Sequence, residues 1–219
     1  MKGAFGVFVP EGLDEICAPQ RCALIIYDMQ SGIVPQLADG RLIVEKCQSL
    51  LAAARAAGMR VFFTRHLFLP NAGSGVGQLR RAMIWERKAD PADVVPLITQ
   101  GSPAWQIVPQ LEPRADEVVI DKITMSAFES TFLNLALRDA QVQAFLIAGI
   151  AMEVGIEPTI RHGCDLNFIP VVAVDACGSK TPEAMERSVA TLKETGEVIL
   201  CSTTEVISSL TRRAVNSGE

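Results

Sequence analysis

The chain has 219 residues, 49% of them apolar and 21% charged, enough to bury a large core and too apolar for a disordered polypeptide. Its net charge is −5, with Lys and Arg scattered along the chain, which argues against a nucleic-acid partner. The longest apolar runs, Ala23 to Tyr27 and Ile169 to Val174, are far too short to cross a bilayer, so no membrane association is expected. The acidic N-terminus lacks the basic-then-apolar order of an export signal. Six cysteines without CxxC spacing then predict reduced thiols in a cytoplasmic protein, with no disulfide framework and no zinc site.

Residues 1–18 read as an N-terminal extension. Cys22 to Asp28 is apolar on both faces, the pattern of a central parallel strand covered by helices on both sides. Leu42 to Ala57 predicts a helix stopped by Gly58, and Arg60 to Thr64 a second strand. Residues 66–107 form an irregular excursion rich in Pro and Gly, with one predicted helix at Gly77 to Lys88. So long an excursion inside a compact domain reads as a lid or an oligomer arm. Further strands are predicted at Glu117 to Asp121, Gln143 to Gly149, Pro170 to Val174 and Glu197 to Leu200. Helices are predicted at Phe128 to Arg138, Glu153 to Asp165, Pro182 to Thr195 and Thr204 to Ala214, the third opened by Thr181 as cap and Pro182 in the first turn. The alternation predicts a single domain over 1–219, a three-layer α/β/α fold around a doubly wound, six-stranded, mostly parallel sheet.

In such sheets ligands bind beyond the carboxyl ends of the strands, where the strand order reverses. That rule directs attention to Asp28, His66, Lys122, residues 149–155 and Asp175. Asp28 taken alone fits a turn cap, and Lys122 taken alone fits a surface cation. Both fall on the same sheet edge, where a carboxylate and a lysine would tune each other and could run acid–base chemistry.

Four segments carry a family resemblance: ALIIYDMQ (23–30), Asp121-Lys122 followed by Ser126-Ala127-Phe128, GIAMEVG (149–155) followed by Thr159, and IPVVAVDA (169–176). In this order and spacing they resemble the isochorismatase-like cysteine hydrolases, a group that includes isochorismatases, nicotinamidases, ureidoacrylate hydrolases and N-carbamoylsarcosine amidohydrolases. The resemblance covers roughly residues 19–210. It implies a six-stranded parallel sheet, a cis peptide at Ile150–Ala151 and a homodimer or higher homo-oligomer. It implies Asp28 as general acid/base and Lys122 as its electrostatic partner. The third position, normally cysteine, is Gly155 here. Ile150, Ala151 and Gln30 are implied around the substrate or its oxyanion.

Glycine has no side chain with which to attack a carbonyl, so the acyl-enzyme route is closed. Cys164 lies nine residues on, roughly 13 Å down a helix, and Cys177 belongs to another segment; both read as structural thiols. Some isochorismate-hydrolysing relatives also carry glycine, and vinyl-ether cleavage needs only a delivered proton and water. An Asp held protonated in an apolar crevice can supply that proton. Backbone donors near Ala151 and Gly155 would remain for an anion, and loss of the cysteine would enlarge the pocket by about one small side chain. Isochorismate is one candidate substrate, although its recognition loop is not visible between His66 and Trp105.

Glu153 and Glu157 flank Gly155; one could supply a catalytic base, but favourable interaction with a helix dipole explains both better. His66 reads as a substrate partner or an ordinary loop histidine, and His162 as structural. With only two histidines, neither a metal nor another cofactor is expected. Trp85, Arg81 and Arg87 could contact substrate or anchor a dimer. The leading expectation is a small-molecule hydrolase working by Asp28 and Lys122. Two alternatives are a non-catalytic binder of this fold and a C–N amidohydrolase whose cysteine has been replaced at position 155.

Overall fold

The computed structural model describes residues 2–216; Met1 and 217–219, the ends of the single domain expected over 1–219, lie outside the described residues. The extension holds a small antiparallel hairpin, β1 (Lys2–Ala4) and β2 (Val7–Val9), and a short helix α1 (Leu13–Ile16). Phe5 and Gly6 turn the hairpin with positive φ at both positions (54° and 77°), the backbone that two-residue hairpin turns require.

The main sheet follows. β3 (Cys22–Tyr27) is buried throughout, and its period-2 alternation divides the core. Cys22, Leu24 and Ile26 pack on one side, against α2 (Gly40–Ala56) and the C-terminal helix described below. Ala23, Ile25 and Tyr27 pack on the other. Next come β4 (Arg60–His66), α3 (Val76–Glu86) in the excursion, β5 (Val118–Lys122), α4 (Leu133–Asp139) and β6 (Ala144–Ile150). A single π-turn over 152–156 leads into α5 (Glu157–Asp165). β7 (Ile169–Gly178), α6 (Pro182–Thr195), β8 (Ile199–Cys201) and α7 (Thr203–Asn216) complete the order. Each fully buried Leu or Ile on these two faces contributes about 1.5–3 kcal/mol.

The sheet order is β5-β4-β3-β6-β7-β8, parallel at every pairing. The chain therefore winds outward in one direction from β3 and in the other from β6, which puts the switch point between these two strands. The fold is the three-layer α/β/α arrangement around a doubly wound six-stranded sheet.

Several boundaries differ from the sequence expectation. The helix expected from Phe128 starts at Leu133, because Ser130 takes a left-handed φ of 57° and the Thr131 hydroxyl accepts the Leu133 N–H. The excursion helix ends at Glu86, where Arg87 adopts the left-handed conformation. β7 runs on to Gly178 past an irregularity in its pairing with β6, between Ile147 and Gly149. Asp175 therefore does not end a strand beside the site. Its carboxylate accepts from the Thr203 N–H (2.6 Å) and hydroxyl (2.8 Å) at the start of α7, and pairs with Lys46 at 2.9 Å. Asp175 is a helix cap.

Candidate active site

Asp28 follows the last residue of β3 with a left-handed φ of 48°, a conformation Asp tolerates better than most residues and one that clusters at functional sites. Its backbone N–H and its carboxylate both meet Thr64 of β4, the Thr64 hydroxyl donating to Oδ1 at 2.6 Å. β4–β5 pairing sets His66 beside Lys122. From there Lys122 Nζ reaches Asp28 Oδ2 at 2.6 Å, donates to the Thr124 carbonyl at 3.2 Å, and sits 4.2 Å from the centre of the Tyr27 ring. The lysine side chain is wholly buried and the aspartate nearly so. Desolvation therefore dominates both groups: it pushes the Asp28 carboxyl up against the opposing pull of Lys122 and Thr64, and pushes the Lys122 ammonium down against Asp28. Shifts of this kind, set by burial and a specific charge partner, are common at functional sites and also occur in structural ion pairs.

Above the pair lies a cavity of about 240 Å³. Its walls are largely apolar, from Ile33, Leu37, Ile98, Met125 and Val154, with Asp28 and Tyr27 at its base and Lys180 and Glu153 also lining it. His66 and Trp85 line it too, their rings 5.4 Å apart. Burial, with Lys122 and Arg81 nearby, drives the His66 pKa down to about 3, so the imidazole is neutral. The excursion thus closes over the cavity of its own chain: Trp85 of α3 and Ile98 both face it. Its return is pinned by Trp105. The Arg65 guanidinium stacks 3.5 Å over the Trp105 ring and pairs with Asp121, which also accepts the Trp105 indole N–H at 3.0 Å.

Ile150 and Ala151 line the cavity where β6 ends, joined by a cis peptide bond. Gly149 just before them has φ 135°, and a Cβ there would run into the backbone of Tyr27, so β3 and β6 approach this closely only with glycine. Gly155 lies in the π-turn, with its N–H donated to the Ala151 carbonyl at 3.0 Å. That N–H is thus spent inside the turn, against the expectation of a free anion donor. The pocket is also not enlarged beside Gly155, because the end of the Tyr27 side chain fills that space.

Gln30 stands outside the cavity lining. Its amide accepts the His66 N–H at 2.7 Å and donates to the His66 and Trp105 carbonyls, so it splices the end of β4 to the excursion. Cys177 is buried inside β7 and its thiol is pushed well up by burial; Cys164 is half-buried and raised for the same reason. Neither lines the cavity. Glu153 accepts from the Ser179 hydroxyl and Lys180 N–H, and Glu157 from Ser188 and Arg161. His162 meets Ser126 at 3.0 Å and packs on Phe128. Among the described residues, no group of three or more His, Cys, Asp or Glu is placed to hold a metal ion, and no helix is long and apolar enough to cross a membrane. Sequence reasoning missed Thr64, Met125 and Lys180, and it read Tyr27 only as a strand residue. The alternation of β3 could have placed Tyr27 under α5 beside Ile25.

A sheet wound in this order, with a buried carboxylate–lysine pair under a cavity at its switch point, defines an α/β protein with a small cavity set over two ionisable groups. The chain belongs to the isochorismatase family of hydrolases: the isochorismatase domain matches residues 22–204. It is 26% identical over 186 residues to the ureidoacrylate amidohydrolase RutB of Acinetobacter baylyi, covering 78% of this chain and 76% of that protein. Among solved structures it resembles a cysteine hydrolase from Pseudomonas syringae pv. phaseolicola (TM-score 0.76, 25% identity, 89% of this chain and 94% of that one). It also resembles an isochorismatase family protein from Desulfovibrio vulgaris (TM-score 0.74, 25% identity, 87% and 98%).

Proposed function

We propose that the protein hydrolyses a small molecule by acid catalysis from Asp28, with Lys122 as its electrostatic partner and without a covalent cysteine intermediate, on a vinyl ether or a related bond. The observation that carries this reading is the pairing of Asp28 with Lys122 at 2.6 Å below a cavity that no thiol lines. Burial raises the proton affinity of the carboxyl, so the resting ion pair takes up a proton on Asp28 before the chemical step. Asp28 then transfers its proton to the carbon of the enol ether, and water adds to the resulting oxocarbenium ion. Asp28 recovers a proton from that water as the hemiketal forms and collapses to carbonyl and alcohol, so one water is consumed. Lys122 stabilises the carboxylate between these steps and, with Lys180 at the cavity, favours an anionic substrate. The neutral imidazole of His66 can exchange a hydrogen bond with the substrate, and Trp85 supplies an apolar face. Ile150 and Ala151, which line the same cavity, contact the bound substrate. No cofactor or metal enters this chemistry. The protein is read as cytoplasmic and as a homo-oligomer, with the exposed Phe5, Val7 and Phe8 of the N-terminal hairpin available for contact between copies.

The second reading, cleavage of a C–N bond, is favoured by the likeness to RutB, named as a ureidoacrylate amidohydrolase. A hydrolysis screen of the purified chain and Asp28→Asn separates the readings, with isochorismate and simple enol ethers set beside small amides and ureides. Enol-ether turnover lost in Asp28→Asn supports acid catalysis. Turnover of amides alone overturns the vinyl-ether reading, and silence on the whole panel favours a binding protein.

A further inference from the structure

The volume beside Gly155 is occupied. The alternation of β3 sends Tyr27 to the same side as Ala23 and Ile25, and its ring ends against the turn that opens α5. A Cβ built on Gly155 would lie 2.5 Å from Tyr27 Cε1, and closer still to Cζ and Oη. Real Cβ atoms do not approach so closely, and the ring has little freedom to retreat. It is 2% exposed, its hydroxyl donates to the Met125 carbonyl, and the Lys122 ammonium lies 4.2 Å from its centre. Moving the ring would break that hydrogen bond and remove the aromatic face from a buried cation.

We propose that Tyr27 determines the chemistry of this site: its phenol occupies the space into which any side chain at position 155 would project, so that tyrosine at 27 and glycine at 155 form a mutually exclusive pair with an attacking group. The functional meaning of this pair rests on reading position 155 as the place of a nucleophile. The absence of a nucleophile is then built into β3 as well as into the turn. A thiol restored at 155 alone meets the phenol and cannot reach a substrate. The substrate class is thereby restricted to bonds that break on protonation, such as enol ethers, and acyl transfer through the enzyme is excluded by volume. Tyr27 acts as a specificity-determining and positioning residue, and its ring face also holds Lys122 against Asp28.

The test is a double-mutant cycle with Gly155→Cys made in the parent chain and in Tyr27→Val. It is read by thermal unfolding and by mass-spectrometric measurement of iodoacetamide alkylation at position 155. In the parent, Gly155→Cys is expected to lower Tm by roughly 2–12 °C, the range for overpacking one core position in a chain of this size. In Tyr27→Val the same change leaves Tm unchanged or raises it, and the introduced thiol reacts at least about tenfold faster than in the parent background, because it is open to the cavity. If Tyr27→Val does not fold, Tyr27→Leu serves, since it too lacks the atoms that overlap position 155. Equal Tm losses in the two backgrounds, or equal alkylation rates, would overturn the proposal. The cycle needs no substrate, so a parent chain that is silent in the hydrolysis screen does not touch its outcome, and a failed cycle leaves the Asp28→Asn result standing.

Discussion

Lys122→Met is the perturbation whose size follows most directly from the buried pair. Lys122 Nζ and Asp28 Oδ2 are 2.6 Å apart, and at an effective dielectric near 20 two unit charges at that separation attract by about 6 kcal/mol. Desolvating each ion costs several kcal/mol, so the intact pair comes close to breaking even, whereas removing one partner costs about 3–5 kcal/mol. After the substitution Asp28 keeps only the Thr64 hydroxyl as a side-chain donor. Its pKa, already raised by burial against the pull of Lys122, rises further. A carboxyl that holds its proton more firmly folded than unfolded makes stability fall as pH rises, from the unfolded value near 3.9 through the raised folded value. Lys122→Met is therefore expected to lose about 3–5 kcal/mol at pH 8 and clearly less at pH 5. Urea unfolding followed by circular dichroism at both pH values measures this. Asp28→Asn/Lys122→Met, which buries no ion, should recover most of the loss. A loss that is equal at the two pH values, or below about 1 kcal/mol at both, would refute the assignment of a charged, desolvated pair.

Three further outcomes are expected. The His66 imidazole, held near pKa 3 by burial and then by Lys122 and Arg81, should show no protonation between pH 5 and 8 in nitrogen-resolved NMR; a midpoint near 6 would contradict its burial. Gly149→Ala, which combines φ 135° with a clash against the Tyr27 backbone, should cost about 3 kcal/mol or more, or give no folded protein, as urea unfolding would show. Trp85→Ala removes a half-exposed wall of the cavity, so KM for any substrate should rise several-fold while kcat and Tm change little. A fall in kcat with KM unchanged would place Trp85 elsewhere in the chemistry.

The sheet was legible because its strands are short, β-branched and bounded by helix-period segments, and because both faces of β3 read as apolar. Asp28 and Lys122 were legible together because the switch-point rule converts strand order into proximity; 94 residues separate them in the chain. The misread boundaries share one cause. Strand and helix ends are set by local hydrogen bonding and left-handed residues such as Ser130 and Arg87, which periodicity does not record. Asp175 was misplaced because β7 absorbs extra residues opposite β6, and a bulge leaves no mark on an apolar run. Gln30 was placed near the substrate by the resemblance that its segment, residues 23–30, carries; its amide is consumed by backbone groups that only the folded excursion brings near. The side chain filling the space at Gly155 was invisible for a simpler reason. Volume left by a missing side chain is a property of its neighbours in space, and here the neighbour is 128 positions earlier in the sequence.

The walls of the cavity come from the ends of β3, β4 and β6, from the loop after β5, and from the excursion. No single segment forms a binding surface by itself, so a bound molecule touches several strand ends and the excursion at once. A molecule lodged there therefore stabilises the whole chain rather than a local patch. At a hundredfold excess over its Kd it adds about 2.7 kcal/mol, a rise of roughly 5–11 °C in Tm for a chain of this length. Heat becomes a ligand detector: compounds that fit can be found by the temperature at which the protein melts, before any reaction has been observed.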